Sequence, residues 1–504
     1  MAETISAIQI NPKDNVAVCV RAVNEGDTVT VLAPDGSRFA IKATSHIPYC
    51  NKIALCRILR GERIIKYGES IGEAIAAIAA GSLANSINIE SRARAYPDEY
   101  LNGREFTAPE APAPAPSGRT FMGYRRPDGS VGVRNLVLIL PGCACASETC
   151  RVVSSQVNGT RNVVINVGCS DVQANTEITQ RVLTGFALNA NVYGVVVIGL
   201  GCETVGHREL AGKIRAMCGK PVVSFGIQEE GGTVKTAMKA VQAAREMVAE
   251  AGRLQRTPCD IADLFVAIEC GGSDTTSGLA SNPAVGEMSD RLVDAGGSAM
   301  MSETIEFVGA EHILARRAAN AGIHDEIIRI CEDYEKHLAL AGQDCRTGQP
   351  TPGNKAGGLS TIEEKSLGCI KKGGTRPVVE VLAEAARPTK KGALIMDTPG
   401  YDISSVTSMV AGGATVVVFT TGRGTPTGHA LAPVIKVTGN RETATRMADN
   451  MDVDVSGIIE GTETIAQAGE RILEEVIEVA SGRQTKAEAF GFSDIAVDHV
   501  CRYI

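Results

Sequence analysis

Apolar and polar positions alternate along this chain in two rhythms. From residue 1 to about 98 the runs are short and separated by turn residues. Val16 to Val23 and Thr28–Leu32 read as strands around Glu25-Gly26-Asp27, and Pro34-Asp35-Gly36 marks a further turn. Glu73 to Ala80, an Ala/Ile segment ended by Gly81, reads as a short helix. This pattern predicts a compact, mainly β module. From Phe121 the rhythm changes to longer apolar runs, each closed by a Gly-containing polar turn. Leu136–Leu140, Asn162–Val167, Val195–Leu200, Pro221–Phe225, Leu264–Ile268, Ala393–Met396, Ala414–Phe419 and Ala432–Val437 are the predicted strands, with helix-like stretches such as Val234–Ala251 between them. Repeated βα units of this kind give a mostly parallel sheet. The expected fold is therefore α/β, a mostly parallel-sheet region behind a small β domain.

Between the two rhythms, residues 99–119 carry a Pro/Ala run at 109–116, the composition of an extended spacer. Three parts are expected: 1–98, a linker at 99–119, and 120–504, the last divisible near residue 260. Composition narrows the function. The formal net charge is −8 with no Lys/Arg run, which speaks against nucleic-acid or anionic-membrane partners. No apolar run approaches the length of a membrane helix, and Met1 to Ile10 lacks the build of a signal peptide. The 15 cysteines are scattered, which suits reduced thiols in a cytoplasmic protein.

Ligands of open parallel sheets bind at the carboxyl ends of the strands, so the polar turns are where chemistry is expected. The densest runs from Glu269 to Gly278, with a thiol, two glycines, an acid and four hydroxyls. Its plain reading is a strand-to-helix turn in which Ser273 or Asp274 caps the next helix. Its functional reading places Gly271, Gly272 and Ser273 at substrate and Asp274 in proton transfer. Cys169, Cys202 and Cys270 close three such turns and are expected to converge as metal ligands with Glu203, holding iron, zinc or an iron–sulfur cluster; the competing reading is that they are small buried apolar groups. Glu303 and His312 are further acid–base candidates. Asn354, Lys355, Arg423 and Gln228 are expected to bind substrate, the cations gripping a carboxylate.

Taken in order, several motifs resemble the altronate/galactarate dehydratase family, which includes the large subunit of sulfolactate sulfo-lyase. They are the segments 123–135, Gly199-Leu-Gly-Cys-Glu203, Cys270-Gly-Gly-Ser-Asp274, Ser302-Glu-Thr304, Gly309-Ala-Glu-His312, 352–359, Glu364-Lys-Ser-Leu-Gly368, 396–402, 419–424, 451–454 and 488–491. Lys52-Ile-Ala-Leu55 and Lys66-Tyr-Gly-Glu69 resemble the SAF domain these enzymes carry at their N-terminus. The resemblance implies a homo-oligomeric lyase that uses a divalent metal, iron as a rule, to remove the proton beside a carboxylate and expel a β-hydroxyl. The substrate would be a sugar acid or related 2,3-dihydroxy acid and the product a 2-keto-3-deoxy acid; in the sulfo-lyase branch sulfite would leave. A third reading is a silent ligand-binding relative. The chain departs from the dehydratase pattern where Asn51, Asn85 and Ile87 stand at positions that usually hold SAF histidines, and where Ile165-Asn-Val167 precedes Cys169. Neutral Asn can serve neither as a base nor as a strong ligand.

Overall fold

The structure, a computed structural model, describes residues 5–93, 106–110 and 112–499. The expected boundary at 98 and the first part of the expected linker lie outside the described residues. The N-terminal part is built of two small sheets, one with strand order Arg38–Lys42, Thr28–Leu32, Ala7–Ile8, Val16–Cys19, Lys52–Ala54, Leu83–Ala84, the other Arg63–Lys66, Glu69–Ala74, Ile89–Glu90. The helix expected over Glu73–Ala80 is not formed. Ala74 and Ile78 are buried four residues apart and imitate a helical face, but the backbone of Ile78 pairs with Ile58 in both directions at 2.8 and 2.9 Å. Those cross-chain bonds satisfy groups that a helix would have satisfied internally.

The next part is a four-stranded parallel sheet in the order Thr160–Asn162, Leu136–Pro141, Val192–Gly199, Val222–Gly226. Helices Gln173–Leu188, His207–Met217 and Thr233–Ala251 pack on it. The strand expected over Asn162–Val167 pairs only as far as Asn162. Val163, Ile165 and Val167 still point inward in alternation, but Thr160–Asn162 is the sheet's edge and the ladder ends there.

The C-terminal part is a seven-stranded parallel sheet, ordered Val378–Leu382, Ala393–Met396, Ser298–Met301, Phe265–Cys270, Val416–Thr420, Val434–Thr438, Val453–Asp454. Phe265–Cys270 is central, and the chain runs first to one side of it and later to the other. The crevice between the ends of Phe265–Cys270 and Val416–Thr420 is therefore the topological switch point, the place where such sheets bind ligands. Helix Asp402–Ala411 packs on helix Gln173–Leu188 through a shared apolar core including Phe186, Val410 and Phe419. Two fully buried asparagines join the parts: Asn189 Nδ2 donates to the carbonyls of Val410 and Ala414, and Asn191 Nδ2 to those of Thr415 and Leu431, all at 2.8–2.9 Å. Among the described residues no helix is long and apolar enough to cross a membrane.

Candidate active site

Four chain segments meet at the carboxyl end of Phe265–Cys270, beside the switch point. The strand Phe265–Cys270 delivers Glu269 and Cys270 to its carboxyl end. The turn after Ser298–Met301 delivers Glu303 and Glu306. Glu303 sits at φ 72°, a left-handed conformation rare for a residue with a long side chain, and its N–H is held by Thr398 Oγ1 at 2.9 Å. Helix Ile362–Cys369 and the turn Ile370–Gly373 bring Lys365, Cys369 and Lys372, and the first turn of Asp402–Ala411 brings Asp402.

The side chains interlock. Ligating atoms of Cys270, Glu303, Glu306 and Cys369 all lie within 4.8 Å of one another, as do those of Glu269, Glu303 and Asp402. The Cys270 thiol donates to Glu306 Oε2 at 2.9 Å and touches the Cys369 sulfur at 3.6 Å. Lys372 donates to Cys270 Sγ at 3.1 Å and to Glu303 Oε2, and Lys365 pairs with Glu306 Oε1 at 2.7 Å. Ser405 donates to Glu269 Oε2 at 2.7 Å. The second oxygens of Glu269 and Glu303 receive no donor from the other described residues, and the two carboxyls lie against one another. Two buried carboxylate oxygens left unsatisfied are costly unless a proton or a cation serves them.

Electrostatics separates these acids. Burial, then repulsion by Glu306, pushes Glu303 up to about 7; burial, then Glu303, holds Glu269 well above the carboxylate range. Burial works against Glu306 as well, but Lys365 and Lys372 outweigh it and bring that carboxyl down to about 2. Neighbouring acids driven apart in this way are the arrangement that acid–base sites use. Asp402 is only partly buried and Tyr401 beside it is 58% exposed, so the cluster reaches solvent on that side. Gly271 lets Asp402 come close: a Cβ there would fall 1.8 Å from Asp402 Oδ2.

The residues singled out from sequence are distributed unevenly. Cys270 and Glu303 are at the centre. Asp274 is buried and spent on structure: its Oδ1 caps the following helix through the Thr276 N–H at 2.8 Å, and Asn440 donates to its Oδ2 at 2.8 Å. The capping reading fits Asp274 better than proton transfer does. Ser273 gives its carbonyl to Asn354 Nδ2 at 2.8 Å, and Gly272 gives its own to the Arg423 N–H at 2.9 Å. Arg423 and Lys355 are exposed on the rim of these loops. His312 is held neutral, down to about 4 through burial and then Arg316, and belongs to neither ligating group.

The expected convergence of Cys169, Cys202 and Cys270 fails. Cys270 ends a strand of the seven-stranded sheet, whereas Cys169 and Cys202 are exposed on turns of the four-stranded one. Glu203 is not a free ligand either. It accepts from the N–H groups of Gly201 at 2.6 Å, His207 at 3.0 Å and Leu200 at 3.1 Å, and so caps helix His207–Met217. Gln228 is exposed and stands against Gly201 on the same part. The sequence reading missed Glu269, Glu306, Cys369 and Lys372. A signal was present for the two acids, Glu269 and Glu306, which stand inside otherwise apolar stretches, unusual unless they are paired.

Family models describe all three parts of the chain. The D-galactarate/altronate dehydratase C-terminal model matches residues 261–502, the second-domain model of galactarate dehydratase/altronate hydrolase matches 123–252, and the altronate/galactarate dehydratase SAF model matches 5–92. The chain is 36% identical to Escherichia coli galactarate dehydratase (L-threo-forming), over 95% of this chain and 93% of that protein. This chain belongs to the galactarate/altronate dehydratase family. Bacillus subtilis altronate dehydratase is 31% identical over 98% of both chains. The (2R)-sulfolactate sulfo-lyase subunit beta of Chromohalobacter salexigens is 39% identical over 75% of this chain and 97% of its own length. The family thus contains lyases with two different leaving groups, and the SAF domain is the N-terminal β module described above.

The structure places all three of the SAF positions at which histidines were expected. Asn85 Oδ1 accepts from the Ile87 N–H at 3.0 Å, which makes it a turn residue, and Ile87 is 79% exposed. Asn51 is buried, with its amide on the Tyr49 carbonyl at 3.2 Å.

Proposed function

We propose that this protein is a metal-dependent hydro-lyase that dehydrates a sugar acid such as galactarate or altronate, or a related 2,3-dihydroxy acid, to a 2-keto-3-deoxy acid. The observation that carries the reading is the buried carboxylate cluster at the carboxyl end of Phe265–Cys270, with Glu269 and Glu303 oxygens that no donor from another described residue serves. A divalent cation, ferrous iron in this family reading, fits that all-oxygen face, with Glu269, Glu303 and Asp402 as its ligands. Once bound, it would stabilise the negative charge of an enediolate. The opposite face of the cluster handles protons. Cys270, Lys372, Glu306 and Lys365 form a continuous donor–acceptor chain from which a proton can pass to the departing hydroxyl. Arg423 and Lys355 on the rim bind the far end of an acidic substrate. Formation of 2-keto acid from a panel of aldonates and aldarates, with and without ferrous iron, is the test; no product from any of them would refute the reading.

A second reading, release of sulfite from a sulfonated hydroxy acid, is supported by the likeness to the sulfo-lyase subunit and by an SAF domain that offers amides in place of imidazoles. Sulfite release from sulfolactate, with no keto acid from sugar acids, would favour it.

A further inference from the structure

The SAF domain grips one helix of the catalytic part, and that helix with the turn after it bears Lys365, Cys369 and Lys372. Lys52 Nζ donates to Glu364 Oε2 at 2.8 Å and Lys66 Nζ to Glu364 Oε1 at 2.7 Å, all three side chains being fully buried. Lys52 also donates to the Gly358 carbonyl and to Ser360 Oγ. The backbone joins in: Thr361 Oγ1 donates to the Ile71 carbonyl at 2.6 Å, and the Arg92 N–H donates to Glu363 Oε1 at 2.5 Å. Every one of these contacts falls on helix Ile362–Cys369 or on the residues that lead into it.

Tyr67 adds a wedge. It is held at φ 64°, with Gly68 N–H on Asp14 Oδ1 at 2.7 Å, and its ring lies between the ammoniums of Lys371 and Lys66, 4.1 and 4.8 Å from the centroid. Its hydroxyl reaches the place where Gly278 and Gly368 touch. A Cβ on Gly278 would fall 2.3 Å from Tyr67 Oη and 3.2 Å from Gly368 Cα, and one on Gly368 would fall 3.4 Å from Tyr67 Oη. Gly368 precedes Cys369; Gly278 lies on the helix that follows the Cys270–Asp274 loop.

We infer that the SAF domain serves this site as a positioning device, in which Tyr67 and the Lys52–Glu364–Lys66 triad set the helix and following turn that hold Lys365, Cys369 and Lys372 against Cys270, Glu303 and Glu306. The inference rests on the proposed function for the identity of the site, but not for its test. A side chain held by an independent domain on the far side of a helix can fix catalytic geometry that a misplacement of about 1 Å would degrade roughly a hundredfold. It also gives this SAF domain a role that needs no histidine at Asn51, Asn85 or Ile87.

The experiment compares full-length Tyr67→Ala with Ile47→Ala, a cavity in the SAF core remote from the helix. Site-resolved alkylation followed by mass spectrometry reads the labelling rates of Cys270 and Cys369, with the buried Cys331 as internal reference. Tyr67→Ala is expected to speed labelling of Cys270 and Cys369 at least about tenfold over Cys331, and to lower kcat about tenfold or more with KM within about twofold. Ile47→Ala lowers Tm without either change. Tyr67→Phe, which keeps the ring between the two lysines, restores protection. Should Tyr67→Ala not fold, Gly278→Ala presses on the same contact from the catalytic side and is expected to show the same selective labelling. Equal labelling ratios in Tyr67→Ala, Gly278→Ala and Ile47→Ala would overturn the inference. Alkylation needs no substrate, so a protein that turned over none of the acids would refute the functional reading while the thiols still decided this one.

Discussion

Glu364→Gln is the perturbation whose size follows most directly from the structure. The carboxylate is fully buried and faces two ammoniums, those of Lys52 and Lys66, at 2.8 and 2.7 Å. Burial alone would raise its pKa, but the two lysines bring it down to about 2. An unfolded Glu titrates near 4.3, so linkage assigns it a stabilisation of about 3 kcal/mol at neutral pH. The sign is that of a depressed acid. The stabilisation is complete above the unfolded value and disappears as pH falls from about 4.3 toward 2. Gln keeps the shape but not the charge and leaves two buried cations without a counter-ion, for which about 3–5 kcal/mol is the usual penalty. Urea unfolding at pH 7, read by circular dichroism, should therefore show a loss of about 3 kcal/mol or more. Adding Lys52→Met, which removes one stranded cation, should return about 1–3 kcal/mol of it. The variant's stability should also fall less steeply than the wild type's between pH 4.5 and 3. A loss below about 1 kcal/mol, or acid profiles that run parallel, would refute the reasoning.

Four further outcomes follow. Glu303→Gln should lower turnover by at least about a thousandfold and also lower bound metal, measured by elemental analysis, because it removes a ligand and rearranges Lys372. Cys169→Ser and Cys202→Ser should leave metal content and kcat within about twofold of wild type, since both thiols are exposed on the other sheet; a loss of metal in either would restore the discarded grouping. Gly271→Ala should keep the fold by circular dichroism yet lose activity at least about a hundredfold, because its methyl would fall 1.8 Å from Asp402 Oδ2 and 2.8 Å from Phe419 Cζ. Asp274→Ala removes a helix cap and the partner of Asn440, and should cost about 1–3 kcal/mol in urea unfolding.

Much of the fold was legible because buried parallel strands are written as unbroken apolar runs. Ala393–Met396 coincides with its expected span, and Thr28–Leu32 does so in the β module. Where expectation failed, the cause was non-local. Ala74 and Ile78 have helical spacing, but a backbone partner at Ile58 decided their conformation. Asn162–Val167 alternates like a strand and has no neighbour with which to pair beyond Asn162.

The site was half legible for the same reason. Cys270 and Glu303 stand in conspicuous polar turns, so local reading finds them. Glu306, Cys369 and Lys372 come from turns and a helix far apart in the chain, and only their packing at the carboxyl end of Phe265–Cys270 brings them together. The three glycine-flanked thiols look equivalent in sequence, but Cys169 and Cys202 belong to another sheet. Glu203 shows how a polar residue at a strand end can be fully occupied by the helix that it caps.

The carboxylate cluster at the carboxyl end of Phe265–Cys270 is, on this reading, the metal-dependent lyase site. Its most direct test is the rate of 2-keto acid formation from aldarates and aldonates by chelator-treated, full-length protein titrated with ferrous iron under anaerobic conditions. The account predicts no turnover after chelation, recovery as iron is restored toward one equivalent, and no recovery in Glu303→Gln. Turnover that persists without metal, or that iron restores equally in Glu303→Gln, would contradict it.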